Sequence, residues 1–148
     1  MSRLRSLAAL SAAERTLSWR AVWWLVVFRM ALVLVPFPRI RAWMDARLAA
    51  RHRSAAVASP MHAWAVRRAL SRAARTFPSA PCLPQALAAE WLLRAQGVAA
   101  VLRIGVAPAA GDGRPIDAHA WVESDGLVVV GDAEFARFAA LAAYSSAP

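Results

Sequence analysis

The sequence predicts an α+β fold, in which a helical N-terminal layer precedes a cysteine-bearing helix packed on a small antiparallel sheet. Apolar residues recur with helical period, between recognisable caps, as far as Gly97. Short segments rich in β-branched residues follow, separated by turn-forming residues. Because the pattern changes near residue 77, we expect a basic, apolar helical region over residues 1–76 and a core over residues 77–148.

The charge of the chain is divided unequally. Residues 1–80 carry fourteen arginines against two acids, a net charge of +12, whereas residues 81–148 carry four arginines against seven acids, a net charge of −3. The overall charge of +9 alone would suit a nucleic-acid binder. That class is disfavoured, because the tryptophans of the basic part lie inside apolar helices and no recognition motif is present.

The first predicted helix begins at a capping box and is apolar on nearly every side. Ser11 and Glu14 have the spacing of the box, and the two prolines of the segment 36–38 must end the helix. Arg20 and Arg29 interrupt the apolar run and point to opposite faces, which disfavours a membrane span. Such a helix is buried among neighbours, covered by a partner, or laid on a membrane surface.

Two more helices are predicted in the basic region. The second covers residues 38–51. The third begins where Ser59 supplies an N-cap and Pro60 occupies the first helical position, and it runs to about residue 75. Four arginines form a basic stripe on it, which is either a docking face or a solvated surface: Arg67, Arg68, Arg72 and Arg75.

The remaining elements form the predicted core. Apolar residues at helical spacing, followed by Gly97 as a stop, predict a fourth helix over residues 82–96. Three β-like segments follow, over residues 98–106, 117–123 and 127–130. The turn at residues 124–126 is short enough to join the last two strands as a hairpin. A final helix is predicted over residues 133–144.

Cys82, the only cysteine, stands on the first turn of the fourth helix. The unpaired N–H groups and the positive end of the helix dipole favour a thiolate, which is the form of cysteine that attacks. His119 lies between alanines on the second strand, and Asp132 follows the third strand. If the helix packs on the sheet, the three residues supply a nucleophile, a base and an orienting carboxylate. A small buried cysteine and a structural histidine are the alternative interpretation.

Cysteine and histidine usage bears on cofactors and location. A single cysteine cannot form an intramolecular disulfide, and no clear signal-peptide core follows the N-terminus, so we expect a cytoplasmic protein. The three histidines, His52, His62 and His119, are scattered and have no zinc spacing with Cys82. Neither a metal nor another cofactor is expected.

Five segments resemble, in consistent order and spacing, the transglutaminase-like cysteine proteases of lasso peptide biosynthesis. They comprise residues 81–87, 92–97, 102–106, 118–123 and 126–132. The resemblance covers about residues 77–138, and the preceding helices are similar to the N-terminal part of the stand-alone protease subunit. No separate leader-recognition domain is expected before them. The family usually has a basic residue where this chain has Pro84, which a first helical turn tolerates.

The resemblance implies a peptidase that removes the leader from a ribosomally made lasso peptide precursor. It implies Cys82 as nucleophile, His119 as base and Asp132 as the third residue, with Asp117 and Asp125 as competitors for that role. It also implies two partners, a small winged-helix protein that binds the leader and an ATP-dependent, asparagine-synthetase-like cyclase. Two alternatives remain open: a membrane-surface interaction protein without catalysis, and a transglutaminase-like acyltransferase whose thioester is taken by an amine.

Overall fold

The computed structural model describes residues 11–52, 60–77, 81–109, 115–131 and 135–145. Within these ranges four α helices precede a four-stranded antiparallel sheet, so the predicted α+β class is confirmed. The helices are α1 (Ala12–Leu34), α2 (Phe37–His52), α3 (Pro60–Thr76) and α4 (Cys82–Arg94). The strands are β1 (Val101–Pro108), β2 (Ile116–Ser124), β3 (Leu127–Val130) and β4 (Ala139–Ser145), in the sheet order β3-β2-β1-β4.

Helix α1 begins at the predicted capping box. The backbone N–H of Glu14 donates to Ser11 Oγ over 3.2 Å, and the backbone N–H of Ser11 donates to Glu14 Oε2 over 3.0 Å. One face of the helix is buried, through Ala21, Leu25 and Phe28. The opposite face is exposed, so the neighbours in the described ranges cover only half of this apolar helix.

Helix α4 is the centre of the molecule. Every residue from Ala86 to Arg94 is buried, because α1, α2 and α3 pack around α4 and the sheet covers its remaining side. The same hydrophobic core continues into the sheet through Leu102, Val122 and Val129. The core therefore runs across residue 76, while a functional division at that position stays a prediction.

A buried ionic cluster ties α2 to α4. Glu90 is fully buried, and one of its carboxylate oxygens accepts a 3.0 Å hydrogen bond from Arg94 while the other accepts from buried Arg41. Arg94 also contacts Asp45 over 2.8 Å at the exposed end of the cluster. Burial raises the pKa of Glu90, and the two guanidiniums oppose that rise. The helix that carries Cys82 is thus held by charge as well as by apolar packing.

We expect Glu90→Gln to lower the free energy of unfolding by about 3 to 5 kcal/mol. The substitution keeps the shape of the side chain but leaves the buried guanidiniums of Arg41 and Arg94 with only the half-exposed carboxylate of Asp45 as counter-charge. Urea unfolding followed by circular dichroism measures the change. Asp45→Asn is the matched control, because Asp45 is 54% exposed and its loss should cost about 1 kcal/mol or less. Equal effects of the two substitutions would contradict this account of the cluster.

The predicted final helix over residues 133–144 is wrong where the structure describes it. A 3-10 turn, Phe135–Arg137, leads into β4, which pairs antiparallel with the open edge of β1. The Tyr144 ring at the end of β4 packs 5.5 Å from that of Phe37. The helix propensity of alanine is worth only a few tenths of a kcal/mol per residue, and pairing with unsatisfied backbone groups at a sheet edge outweighs it.

Candidate active site

Cys82 is the first residue of α4, as predicted, and it is half-buried. Pro81 precedes it with φ −60° and ψ 159°, and no side chain caps the helix. Pro81 and Pro84 have no N–H, so the unpaired donors of this first turn are the backbone N–H groups of Cys82 and Leu83. Pro84, the departure from the family pattern, is buried and leaves the helix uninterrupted, as first-turn tolerance predicts. The thiol therefore stands beside backbone donors at the positive end of the helix.

His119 is held on β2 by its ring neighbours. The ring stacks on Trp121 at 6.2 Å between centroids and on Phe138 at 5.0 Å. Its Nε2 atom lies 3.0 Å from the carbonyl oxygen of Gly131. A carbonyl oxygen can only accept a hydrogen bond, so Nε2 carries the proton and Nδ1 is the basic nitrogen of the neutral ring.

Gly131 has a position that other residues cannot occupy without strain. Its φ is +81°, and a Cβ atom there would lie 2.7 Å from Trp121 Cβ and 3.0 Å from His119 Nε2. Sequence reasoning did not identify this residue as part of the site. The sequence feature that could have identified Gly131 is a single glycine at the end of a run of β-branched residues. Such a glycine often marks a place where another part of the protein approaches the backbone closely. Asp132, the next residue and the predicted third member, lies outside the described residues.

The first turn of α4 and His119 approach the same end of β3. Helix α4 packs on β2 and β3, which is the arrangement that the sequence argument required. Gln85, one turn after Cys82, and Gly131, the contact of His119, line one cavity of about 120 Å³. In the described part of the chain no hydrogen bond joins the Cys82 thiol to the His119 ring. In enzymes of this kind the hydrogen bond between nucleophile and base often becomes short and well aligned only when substrate is bound.

The two competing aspartates are directed elsewhere. Asp117 accepts a 3.0 Å hydrogen bond from Arg137 through Oδ2. Asp125 lies in the β2–β3 turn with φ +48°, six residues beyond His119 and thus about 20 Å along the strand direction. Asp117 shares the strand face of His119 but its carboxylate is engaged by Arg137, and the turn position of Asp125 keeps that carboxylate away from the imidazole.

Glu123 shares the strand face of His119 but has a supporting role. Its carboxylate accepts hydrogen bonds from Trp121 Nε1 over 2.8 Å and from Arg103 Nε over 2.9 Å. Partial burial raises the pKa of Glu123, but the hydrogen bonds from Trp121 and Arg103 outweigh burial and hold that pKa below its usual range. The ionised carboxylate therefore fixes Trp121, the ring on which His119 stacks.

The site thus combines a helix-start thiol with a histidine of defined tautomer. Across the described ranges no group of three or more histidine, cysteine, aspartate or glutamate side chains could hold a metal ion. A thiol and a histidine base that come together when substrate binds can carry out acyl transfer through a thioester.

Comparison with known families agrees with this chemistry. A family model described as the Transglutaminase-like superfamily matches residues 22–143, which include most of α1 and all later elements except the last residues of β4. Comparisons with curated proteins and with solved structures gave no match. The chain belongs to the transglutaminase-like superfamily, which generally includes cysteine proteases.

Proposed function

We propose that this protein is the peptidase that removes the leader from a lasso peptide precursor, through a thioester on Cys82. Membership of the superfamily supports thiol chemistry, and the five resembling segments support the precursor class. The observation that carries the proposal is the hydrogen bond between His119 Nε2 and Gly131, because it leaves Nδ1 as the base. The cavity that Gln85, one turn after Cys82, shares with Gly131 supports the pairing of this cysteine with His119.

The proposed reaction begins when His119 Nδ1 takes the thiol proton and Cys82 Sγ bonds to the scissile carbonyl carbon. The backbone N–H of Cys82 stabilises the resulting oxyanion. The C–N bond then breaks, the imidazolium gives its proton to the departing amine, and the core peptide leaves with a free α-amine. Water, deprotonated by His119, attacks the thioester, so the leader leaves as a carboxylate and Cys82 regains its proton.

Two partners complete the proposed pathway. A separate winged-helix protein would bind the leader and present it to this peptidase. An ATP-dependent, asparagine-synthetase-like cyclase would then join the freed α-amine to an Asp or Glu side chain. Cytoplasmic location follows from the ATP-dependent step and stays a prediction.

Mass spectrometry of the products tests the proposed reaction. The purified protein is incubated with precursor and leader-binding partner, with and without added methylamine. We expect free leader with a C-terminal carboxylate in both reactions, since water takes the thioester. A leader carrying methylamide as the main product would favour the acyltransferase alternative, and an intact precursor would contradict the proposed function.

The basic stripe of α3 is largely occupied by contacts inside the chain. Arg67 donates to the Val128 carbonyl, Arg72 donates to Ser18 Oγ over 3.3 Å, and Arg68 lies 3.7 Å from Glu14. Arg67 and Arg72 therefore hold α3 against β3 and α1. Arg68, with a 59% exposed side chain, and exposed Arg75 remain the stripe residues best placed to meet a partner.

We expect the leader-binding partner to raise the cleavage rate strongly, and Arg68→Glu with Arg75→Glu to weaken that stimulation about tenfold. The partner tethers the substrate, and the two arginines lie on a basic surface that suits an acidic partner. Cleavage rate against partner concentration gives the measurement. Arg39→Glu, an exposed arginine on α2, is the matched control. Unchanged stimulation in the double variant would show that this face is merely solvated.

A further inference from the structure

From Trp19 to Leu34 the outward face of α1 is an apolar stripe. Its members, which we call the outer stripe, are Trp19, Trp23, Val26, Met30, Val33 and Leu34, between 40% and 76% exposed. Their spacing of three and four residues places them on one helix face. From first to last they span about 22 Å of helix, a larger continuous apolar surface than a monomeric protein normally leaves in water.

Positive charge flanks the outer stripe. At 100° per residue, Arg20 and Arg29 fall roughly 90° to either side of its centre, and both are exposed. The only acid of α1 is Glu14, which lies in the first turn and pairs with Arg68. Arginines at such margins can place their stems along an apolar phase and their guanidiniums at its polar boundary.

An apolar groove of about 400 Å³ adjoins the outer stripe between α1 and α3. Trp19, Val22 and Phe77 contribute apolar walls, and Arg15 and Arg72 line the same groove. An apolar volume beside guanidiniums suits a molecule with a hydrocarbon chain and a phosphate group. The groove and the outer stripe therefore both combine an apolar surface with neighbouring arginine side chains.

We propose that the outer stripe and its groove dock on the surface of a bilayer that contains anionic phospholipid, with α1 lying in the plane of the interface. Tryptophan, aliphatic residues and flanking arginines on one helix face are the composition of interfacial helices. A second copy on the same stripe would bring Arg20 and Arg29 of both chains together.

The packing of α1 favours this in-plane arrangement over a membrane span. By length and composition alone the helix could cross a membrane. However, Leu25 and Phe28 are buried in the core, and the Trp24 ring lies 4.4 Å from that of Trp91 on α4. Crossing would remove this face of α1 from the core, whereas in-plane docking uses only the face that is already exposed.

Co-sedimentation of the full chain with vesicles tests the proposal. We expect binding to phosphatidylcholine vesicles in which about a third of the lipid is phosphatidylglycerol, and about tenfold weaker binding to phosphatidylcholine alone. Trp19→Gln with Trp23→Gln should weaken binding by about tenfold for each tryptophan removed. Leu141→Gln is the matched control, an exposed apolar residue on β4. Equal binding to both vesicles, no binding, or an equal loss in the control would overturn the proposal.

A second measurement uses the unaltered protein. Phospholipids brominated on the acyl chains should quench its tryptophan fluorescence, and Trp19→Phe with Trp23→Phe should remove most of that quenching while keeping the surface apolar.

Light scattering of the free protein tests whether the outer stripe instead binds a second copy of the chain. A stable dimer that Trp19→Gln and Trp23→Gln convert to a monomer would assign the stripe to a second copy and overturn the lipid proposal. None of these readouts depends on peptide cleavage, so the proposed peptidase activity can fail or hold independently.

Discussion

Cys82→Ala is expected to abolish leader release while leaving the fold intact. Alanine fits the first position of α4, where the cysteine is only half-buried and makes no disulfide. The substitution removes the atom that forms the thioester, and loss of a nucleophile that acts together with its base costs on the order of 10⁶ in rate. The effect should therefore appear in catalysis alone.

Two measurements separate catalysis from stability for this variant. Leader release from the precursor is followed by mass spectrometry with the leader-binding partner present, and thermal unfolding is compared with that of the unaltered chain. Leu83→Ala, the neighbouring position of the same helical turn, is the control and should retain activity. Cleavage by Cys82→Ala at the unaltered rate would exclude a cysteine peptidase centred on this residue.

Local signals predicted much of the fold because each one acts within a few residues. The capping box of Ser11 and Glu14 forms as expected, and Pro60 is the first residue of α3. Asp125 and Gly126 have φ of +48° and +76°, the backbone that a two-residue hairpin turn needs, so the hairpin between β2 and β3 is confirmed. The three predicted strands are present, with shifts of up to three residues at their ends.

Long-range pairing explains what the sequence did not predict. β4 has an alanine-rich sequence that favours a helix in isolation, and only the open edge of β1 makes it a strand. Glu90 lies in an otherwise apolar helix, and nothing local indicates that Arg41, forty-nine positions earlier, will pair with it. Gly131 likewise acquires its role only when β2 brings His119 beside it.

The candidate site divides in the same way. The placement of Cys82 on the first turn of a helix follows from local sequence, and its packing against the strand of His119 follows from the predicted fold class. The tautomer of His119 could not be predicted from the sequence, because it depends on the backbone carbonyl of Gly131, twelve residues away. The identity of the third residue stays a prediction, since Asp132 lies outside the described residues.

Asp132→Asn is expected to lower turnover by up to about 10⁴-fold, with little change in stability. A carboxylate that accepts from a protonated Nε2 holds the ring in place and stabilises the imidazolium that forms when Nδ1 takes the thiol proton. An amide supplies no charge and can present its N–H₂ group instead, which favours the wrong tautomer. Asp117→Asn and Asp125→Asn should stay active, because Asp117 pairs with Arg137 and Asp125 lies in the distant turn.

The carbonyl of Gly131 makes this experiment decisive. It already contacts His119 Nε2 over 3.0 Å, and it can orient the ring but carries no full charge for an imidazolium. If orientation by that carbonyl suffices, Asp132→Asn will lose less than about tenfold and the third role will belong to the backbone. If Asp117→Asn is the crippling change, the ion pair with Arg137 must open during turnover, and Asp117 rather than Asp132 orients the base.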